Sequence, residues 1–540
     1  MGKSNNSRFN IKLPFYLALV LALGIFIGAL FFSSNPKGDI GSSYKKYAEI
    51  LSYIHNDYVD TVDINTLVDY SISSMLDKLD PHTAYIPKAK TELADSQLEG
   101  GFEGIGIEFN IFRDTLIVVS PVVGGPSEAA GLLSGDKIVK VNDSIITGTI
   151  LSNASVFSLL RGEKGSSVKL SVKRGKQPNL IDYTVIRDKI PTYSLEVAYM
   201  LDEHTGYMKI SRFSETTYEE FKKGLEALKK EGMQKLVLDL RDNPGGYMKM
   251  ATKIADEFLS GSKLIIYTKG KEAKYDQKIY ANQAGNFEKG ALIVLVNEGS
   301  ASASEILTGA LQDNDRALIV GRRSFGKGLV QIPITLEDQS ELRLTIARYY
   351  SPSGRCIQKP YADTPDDYNT DLLRRYKHGE FFHADSIRFN DSLKYTTLHG
   401  RTVYGGGGIM PDIFVARDTS GFTSYLLKLY GKNIIREYAL TYYANHKETL
   451  EKSDLKTYKE KFAVSDALLK QFQDFAAQNG VKLNKKQFDK SKKIIRSDIK
   501  AYLARSIWGN KGFYSVFNES DITLLHALEH WKEAETLAEN

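Results

Sequence analysis

Three serines stand at every second position in GSASASEILTG, residues 299–309. The apolar run ALIVLVN ahead of them predicts a buried strand, and the residues behind them predict a helix that begins between Ser302 and Glu305. A serine at such a turn lies beside free backbone N–H groups and the positive end of the helix, which suit an acyl-transfer nucleophile. Ser302 and Glu305 also match the Ser-x-x-Glu capping box, so helix capping alone explains the same residues.

A nucleophilic serine needs a base, and the histidines do not supply one. None of the nine lies in the α/β segments that flank the serines; they stand at positions 55, 82, 204, 378, 383, 399, 446, 526 and 530. A lysine can serve instead when burial keeps it neutral. Lys327 stands in SFGKGLVQIPI between Phe325 and Leu329, and on a strand it shares a face with Gln331, whose side chain could orient the amine.

Three further patterns invite competing interpretations. GRRSFGK, residues 321–327, is close to a phosphate loop, but Gly328 stands where that motif needs a hydroxyl residue for magnesium. His526 and His530 in HALEH match a metalloprotease helix, yet two histidines at this spacing also occur by chance. LDLRDNPGG, residues 238–246, either exposes backbone N–H groups to a ligand or is an ordinary turn. We predict no metal and no organic cofactor.

Helical, β-rich and α/β segments follow one another along the chain. Apolar spacing predicts two helices in residues 44–79, and short alternating runs from GFEGIGIEF to VKLSVKR predict a small β-rich module. From about Tyr193, strands alternate with amphipathic helices, which predicts an α/β core with a mixed or parallel sheet. A polar insert interrupts this core at about 363–395, and a helical pattern runs from 421 to the end. The fold class is therefore multidomain α+β.

Composition excludes some classes of protein. The chain has 540 residues, of which 42% are apolar, enough for a large core and several domains. A net charge of +5 is too weak at this length to indicate nucleic acid as a partner. The single cysteine, Cys356, excludes an internal disulfide framework and a multi-cysteine metal site.

The N-terminus has the pattern of a membrane anchor. Three basic residues within positions 1–12 precede an uncharged apolar run of 20 residues, 13–32, which is the length that a spanning helix needs. Two phenylalanines close the run, where a cleaved signal peptide would carry small residues. We predict an uncleaved single-pass anchor in the inner (cytoplasmic) membrane, with the basic end in the cytoplasm and the rest of the chain periplasmic.

Several motifs occur in a fixed order over about residues 44–415: LDPHTAYIP, SEAAGLLSGDKIVKVND, LDLRDNPGG, NEGSASASEILTGALQDNDRALIVG, SFGKGLVQ and GRTVYGGGGIMPDI. This ordered set resembles the carboxy-terminal processing peptidases, also called tail-specific proteases. The resemblance implies a serine endopeptidase that cleaves proteins near or from their C-terminal tails through a Ser–Lys dyad and an acyl-enzyme. It needs no cofactor.

The resemblance also implies roles for single residues. The family's nucleophile is the middle serine of S-x-S-x-S-E, which is Ser302 here, and its lysine base in F-G-K-G is Lys327. The glutamine four residues later, Gln331, assists that base. These assignments agree with the search for a base, which found no suitable histidine.

Supporting residues follow from the same resemblance. The N–H of Ala303, together with one from Gly245 or Gly246, is expected to form the oxyanion hole. Asp313 returns to the helical face of the nucleophile and is expected to support activity, as is Glu305.

The β-rich module resembles a PDZ domain. Its segment Gly104, Ile105, Gly106 and Ile107 resembles a carboxylate-binding loop, whose N–H groups would hold the C-terminus of a substrate while the chain adds beside a strand. We therefore expect protein substrates with exposed apolar tails as partners, and gating of the site by the module. The competing interpretation is a module that only joins domains. A homo-oligomer or an adaptor protein is a further expected partner.

These patterns divide the chain into consecutive segments. They are a basic N-terminus (1–12), an anchor (13–32), a linker (33–43), a helical region (44–90), a PDZ-like domain (91–190), a peptidase core (191–420) and a helical C-terminal domain (421–540). The alternative function is a catalytically inactive PDZ scaffold that only binds peptides. A scaffold has no need to keep Ser302, Lys327 and Gln331 together.

Overall fold

The computed structural model describes residues 12–32, 40–96, 98–112, 114–122, 124–148, 151–175, 177–361, 368, 370–388 and 390–539. They belong to two compact units, Met1–Met75 and Leu76–Asn540. Parts of the predicted segments lie outside the described residues: 1–11 of the basic N-terminus, 33–39 of the linker, 97, 113, 123, 149–150 and 176 of the PDZ-like domain, 362–367, 369 and 389 in and beside the polar insert, and 540 of the C-terminal domain.

The first unit is helical. It contains α1 (Lys12–Phe32), α2 (Ile40–Asp57) and nearly all of α3 (Ile64–Leu76). α2 carries apolar and aromatic side chains at helical spacing but buries none of them. Among the described residues, no helix combines the length and the apolar character needed to cross a membrane.

The second unit opens with a short strand, a helix and an antiparallel β-rich module. The elements are β1 (Ala84–Ile86), α4 (Lys88–Ser96), β2 (Gly101–Gly104), β3 (Ile107–Phe112), β4 (Thr115–Pro121), α5 (Pro126–Ala129), β5 (Lys137–Val141), β6 (Ser144–Ile145), α6 (Asn153–Leu160), β7 (Ser167–Lys173), β8 (Ile181–Ile186) and β9 (Asp188–Pro191). The sheet order is β3-β4-β5-β7-β8, β6 pairs with β5, and β2 pairs with β9. Apolar residues alternate along these strands because one face packs on the module's own core.

The α/β core is built on a six-stranded mixed sheet. Its segment of the chain contains β10 (Leu195–Met200), β11 (Thr205–Ile210), α7 (Thr217–Lys230), β12 (Lys235–Asp239), α8 (Met248–Asp256), β13 (Leu264–Gly270), β14 (Gln277–Tyr280), β15 (Leu292–Val296), α9 (Ala303–Asp313), β16 (Leu318–Gly321), β17 (Leu329–Thr335), β18 (Glu341–Tyr350), α10 (Asp371–Lys377), β19 (Lys394–Thr396), β20 (Thr402–Tyr404) and β21 (Ile413–Phe414). The order is β10-β11-β12-β15-β16-β21, antiparallel between β10 and β11 and parallel elsewhere. β15 is wholly apolar, and the three middle residues of β12 are apolar, because both faces of the sheet are covered.

A second sheet brings distant parts of the chain to β18. β17 pairs with β18 along one side, and β1 and β13 pair with it along the other. β1 and β17 therefore flank the same segment of β18, residues 341–343. β1 lies in LDPHTAYIP and β17 directly follows SFGKG, so this pairing places the two motifs near each other.

The C-terminal region is helical. It comprises α11 (Ser424–Gly431), α12 (Ile434–Leu450), α13 (Leu455–Lys461), α14 (Asp466–Gln478), α15 (Lys485–Phe517), α16 (Ile522–Leu528) and α17 (Trp531–Glu539). α11 to α15 share a core of their own, whereas α16 and α17 bury Leu524, Ala527 and Ala534 against the six-stranded sheet. The predicted fold class, with a β module, a mixed α/β core and C-terminal helices, is confirmed.

Candidate active site

One cavity of about 670 Å³ collects the residues that the sequence singles out. Ser302, Lys327, Gln331, Gly245 and Gly246 all line it. They come from the loop after β12, the turn before α9, the loop before β17 and β17 itself. The carboxyl ends of the parallel strands β12 and β15 point towards this region, and such edges are the usual ligand sites of α/β folds.

Ser302 sits in the turn between β15 and α9 with a left-handed backbone, φ 55° and ψ −113°. A residue with a side chain pays about 1–3 kcal/mol for such a conformation, and this strain is concentrated at functional sites. The turn is held by the helix start, because the Ser302 N–H donates to Glu305 Oε2 at 2.8 Å. Ser302 is thus both the N-cap residue of α9 and a cavity residue.

The two neighbouring serines have structural contacts. Ser300 Oγ donates to the carbonyl oxygen of Leu240 at 2.8 Å, and Ser304 Oγ donates to that of Asn243 at 2.9 Å. Both serines are fully buried. They fasten the serine turn to LDLRDNPGG, and of the three serines it is Ser302 that lines the cavity.

Two backbone N–H groups of the predicted oxyanion hole, those of Ala303 and Gly246, have no hydrogen-bond partner within the described part of the chain. Ala303 begins α9, where N–H groups lack an intrahelical acceptor. Gly245, the other predicted donor, gives its N–H to Asn243 Oδ1 at 2.9 Å. Of the two glycines that the sequence left as alternatives, Gly246 is the one whose N–H has no partner among the described residues.

Lys327 precedes β17 and is partly buried. Its Nζ donates to Gln331 Oε1 at 2.7 Å. Burial lowers the pKa of Lys327, although the charges of Asp80 and Glu305 act in the opposite direction. The lowered pKa favours the neutral amine, which can accept a proton. Among the described hydrogen bonds none joins Lys327 to Ser302, so the two side chains share the cavity without a direct bond.

Gln331 is held at its other end by the backbone of His82. Its Nε2 donates to the His82 carbonyl oxygen at 2.5 Å, so the two ends of the carboxamide have different partners. The sequence analysis placed LDPHTAYIP in the ordered set of motifs but assigned no role to His82, and it missed this contact. The motif's place in the ordered set was the one signal that could have drawn attention to it.

Glu305 connects the serine turn to the lysine loop. Its Oε1 accepts from Ser324 Oγ at 2.5 Å and from the Gly326 N–H at 2.6 Å. Its Oε2 accepts from the N–H groups of Ser302 and Lys327, both at 2.8 Å. The side chain is buried, with 1% exposure. One carboxylate oxygen therefore bridges the backbones of the two residues that the sequence assigns to nucleophile and base.

Family comparisons agree with the motifs. Residues 204–368 match peptidase family S41, residues 104–185 match the PDZ domain, and residues 425–509 match a family of unknown function. The carboxy-terminal-processing protease of Bartonella bacilliformis is 34% identical over 352 residues, which cover 64% of this chain and 80% of that protein. The chain belongs to the carboxy-terminal processing proteases. As predicted, it is a serine-type peptidase with a PDZ domain.

Other relatives of this protease have the same type of name. Carboxy-terminal processing protease CtpB of Bacillus subtilis is 35% identical over 355 residues, covering 65% of this chain and 71% of that protein. Among solved structures, a photosystem II D1 C-terminal processing protease aligns at 25% identity over 69% of this chain and 87% of that chain, with a TM-score of 0.36.

Asp313, expected to support activity, is not among the residues that line the cavity of the protease. It lies at the last turn of α9 and forms an ion pair with Arg355 at 2.7 Å, in which both side chains are 0% exposed. Its Oδ2 also accepts from Ser353 Oγ at 2.6 Å. Asp313 thus ties the end of α9 to the loop that follows β18.

The predicted tail-binding loop of the PDZ domain connects β2 to β3. Gly104 ends β2, Ile107 begins β3, and Gly106 between them has a left-handed φ of 71°. Ile105 is buried in the module's core, and its carbonyl oxygen accepts from the Ser127 N–H at 3.0 Å. The loop therefore has a fixed conformation at the start of an edge strand.

The strand that follows this loop has two different neighbours. Phe109 of β3 meets Phe157 of α6 edge to face, with ring centroids 5.7 Å apart. Glu108 of the same strand forms ion pairs with Arg436 and Arg505 of the C-terminal helices. Strand β3 of the PDZ domain is thus linked to the helical region of the protease.

The histidines of HALEH contact each other and a neighbouring glutamate. His526 and His530 stack at 5.1 Å, and His530 Nδ1 lies 3.0 Å from a carboxylate oxygen of Glu533. Within the described ranges, the protease has no group of three or more His, Cys, Asp or Glu side chains that could hold an ion.

Gly245→Ala should lower kcat/KM by about 100-fold, because displacement of a catalytic group by an ångström has an effect of this size. A Cβ at this position would lie 2.7 Å from both the Ala301 carbonyl oxygen and Ser302 Cβ, and Gly245 has φ 101°. Gly261→Ala is the matched control, since Gly261 has φ 68° but no atom within 4 Å of the added carbon. In peptidase assays, kcat/KM of Gly261→Ala should stay within about twofold of wild type. An equal loss of kcat/KM in both variants would contradict the steric argument.

Proposed function

We propose that the protease cleaves peptide bonds with Ser302 as nucleophile and Lys327 as general base. Neutral Lys327 Nζ accepts the proton of Ser302 Oγ as this oxygen attacks the substrate carbonyl carbon. The N–H groups of Ala303 and Gly246 stabilise the oxyanion, and a donor of this kind typically contributes about 2.7–4 kcal/mol. The lysine ammonium then protonates the leaving amine. The neutral amine of Lys327 finally deprotonates a water molecule, and this water hydrolyses the acyl-enzyme.

One observation carries this proposal. Ser302 and Lys327 line the same cavity, and the backbone N–H groups of both bind a single oxygen of Glu305. The Lys327 amine has a neutral hydrogen-bond partner, Gln331, rather than a carboxylate that would keep it charged. A scaffold that only binds peptides gains nothing from a strained serine turn beside such a lysine.

We infer that the substrates are proteins with exposed apolar C-terminal tails. The edge strand β3 offers backbone groups for an added strand, and the Gly104–Ile107 loop precedes it, as a carboxylate site requires. Apolar side chains also form much of the catalytic cavity, among them Met248, Ile306 and Leu329. A tail held by the PDZ domain would then deliver an upstream segment to Ser302.

We further propose that the protease is anchored in the cytoplasmic membrane with its catalytic part outside the cytoplasm. The sequence supports this, because the uncharged run 13–32 has the length of a spanning segment and follows a basic stretch.

One assay tests activity and anchoring together. Carbonate-washed membranes from cells that express the full chain are incubated with an unfolded reporter protein that ends in an apolar tail. Wild-type membranes should cleave this reporter faster than a matched reporter with an acidic tail, and Ser302→Ala membranes should not cleave it. Cleavage by Ser302→Ala would refute the nucleophile, tail binding without cleavage by wild type would favour a scaffold, and activity confined to the soluble fraction would refute the anchor.

A further inference from the structure

The LDPHTAYIP turn is built around one buried carboxylate. Asp80 Oδ1 accepts from the N–H groups of His82 at 2.8 Å and Thr83 at 2.9 Å, and Asp80 Oδ2 accepts from Thr83 Oγ1 at 2.5 Å. Thr345 of β18 donates its hydroxyl to the same carboxylate at 3.1 Å. The turn is therefore fixed to β18, which is also the partner strand of β17.

This turn presents both the backbone and the side chain of His82. The His82 carbonyl oxygen is the acceptor for Gln331 Nε2. The imidazole Nε2 lies 2.6 Å from the Tyr368 hydroxyl oxygen, and the two rings meet edge to face at 5.1 Å and 90°. Burial, followed by the charge of Lys327, lowers the pKa of His82 to about 4, so the ring is neutral near neutral pH.

Tyr368 belongs to the polar insert, a segment whose role the sequence did not reveal. Its side chain is buried, its ring packs against Phe325 at 6.0 Å, and Lys359 Nζ lies 4.0 Å from its centroid. Phe325 stands two residues before Lys327. Tyr368 therefore connects His82 to the loop that carries the proposed base.

We propose that His82 and Tyr368 form a clamp that orients Gln331 towards Lys327. A carboxamide has one donor end and one acceptor end, and the His82 carbonyl can bind only the donor end. Gln331 Oε1 is then left facing the Lys327 amine, as observed. If the turn shifts, the amide can rotate and present its N–H groups to an amine that needs an acceptor. This role rests on the proposed Ser302–Lys327 mechanism, in which the clamp positions Gln331 and touches no reacting atom.

A double-mutant cycle isolates the hydrogen bond between His82 and Tyr368. His82→Phe and Tyr368→Phe each remove one partner and keep a ring of similar shape. Each variant should lower kcat about fivefold with KM unchanged, and the double variant should lose no more than Tyr368→Phe alone. The His82–Tyr368 hydrogen bond is lost in all three, and the contact of the Tyr368 hydroxyl with Gln358 is lost in both variants that carry Tyr368→Phe. Tyr361→Phe is the matched control, since its ring lies 6.4 Å from that of Tyr368 but its hydroxyl binds Arg348 instead.

The pH profile separates positioning from folding. An oriented Gln331 Oε1 stabilises the protonated amine, so its loss should move the acidic limb of kcat/KM about half a pH unit lower. A variant that only loses folded protein keeps the limb in place. The groups whose charges act on Lys327 are left unchanged by Tyr368→Phe; they are Asp80, Glu305 and Arg343.

Wild-type kcat in both single variants, additive losses in the double variant, or an unmoved acidic limb would each overturn the clamp. If His82→Phe does not fold, kcat and the acidic limb of Tyr368→Phe decide alone. Cleavage that survives Ser302→Ala would refute the underlying mechanism instead, whereas an inactive Ser302→Ala beside fully active clamp variants would refute only the clamp.

Discussion

Lys327→Met should lower kcat/KM by about 10²- to 10⁴-fold while the protease stays folded, because general-base catalysis contributes a factor of this size. Methionine is unbranched and apolar, so it can occupy the partly buried site without a charge. Lys327→Arg should be similarly inactive, since a guanidinium stays protonated and cannot accept the serine proton. Steady-state cleavage of the apolar-tailed reporter measures the loss, and thermal melting verifies the fold.

The wild-type pH profile should report the same amine. Burial lowers the pKa of Lys327 below its ordinary value of 10.5, so its neutral form is populated at lower pH than in an exposed lysine. We therefore expect kcat/KM to rise with pH through an apparent pKa below 10.5 and then to level off. A profile that falls with increasing pH throughout this range would contradict a lysine base.

Lys359 offers the matched control for Lys327. It is also buried, and burial lowers its pKa as well, but its Nζ lies 3.3 Å from an Asp371 carboxylate oxygen and 3.9 Å from the centroid of Phe325. A carboxylate partner favours the charged lysine, and Lys359 is not among the residues that line the catalytic cavity. Lys359→Met should keep kcat within about tenfold of wild type. Equal losses in the two methionine variants would leave Lys327 without a distinct role.

The serine turn and the buried lysine could be predicted because each has a local signature. ALIVLVN is apolar without alternation, as a strand covered on both faces must be, and Ser302 with Glu305 marks the start of the following helix. Lys327 stands among apolar residues and glycines, which predicts burial. The layers of the fold were predictable for the same reason, since apolar spacing reports which face of each element is covered.

The contacts that organise the site had no such signature. Gln331 and His82 are 249 positions apart in the sequence, and their hydrogen bond requires β1 and β17 to flank the same part of β18. Helical spacing placed Asp313 on the same face as Ser302, but spacing says nothing of distance along the helix. Eleven residues extend a helix by about 16 Å, which puts Asp313 beyond the cavity and beside Arg355.

Glu305→Ala should combine a loss of stability with a loss of activity. It would leave four donors without their acceptor: the N–H groups of Ser302, Gly326 and Lys327 and the hydroxyl of Ser324. Loss of a buried network of this kind destabilises by on the order of 3–5 kcal/mol. Thermal melting and kcat measured on the folded fraction should both fall.

Asp313→Asn is the control for this effect. The substitution weakens the buried ion pair between Asp313, which is in the same helix as Glu305, and Arg355. Asp313 does not line the cavity, so the melting temperature should fall while kcat of the folded protein stays near wild type. A loss of kcat equal to that of Glu305→Ala would show that destabilising α9 is enough to inactivate the protease. The bridging role of Glu305 would then be refuted.

Glu305→Gln separates the charge of this side chain from its shape. Each carboxylate oxygen accepts two hydrogen bonds, so a glutamine must turn its NH₂ group either towards Ser302 and Lys327 or towards Ser324 and Gly326. In the first case the link between the backbones of Ser302 and Lys327 is broken, and in the second the contacts of Glu305 with Ser324 and Gly326 are lost. Both arrangements predict a large fall in kcat although the volume of the side chain is unchanged.

The pH dependence of the stability that Glu305 contributes gives an independent test. Burial raises the pKa of Glu305 to about 7, against four hydrogen bonds that favour the carboxylate, whereas the unfolded chain titrates near 4.5. Between these values the folded protein binds more protons than the unfolded chain, so the contribution of Glu305 to stability is complete below 4.5 and is lost as pH rises through 7. The free energy of unfolding of wild type relative to Glu305→Gln should therefore fall by about 3 kcal/mol across this window. Urea unfolding of both proteins at several pH values measures the difference, and parallel curves would mean that Glu305 does not titrate there.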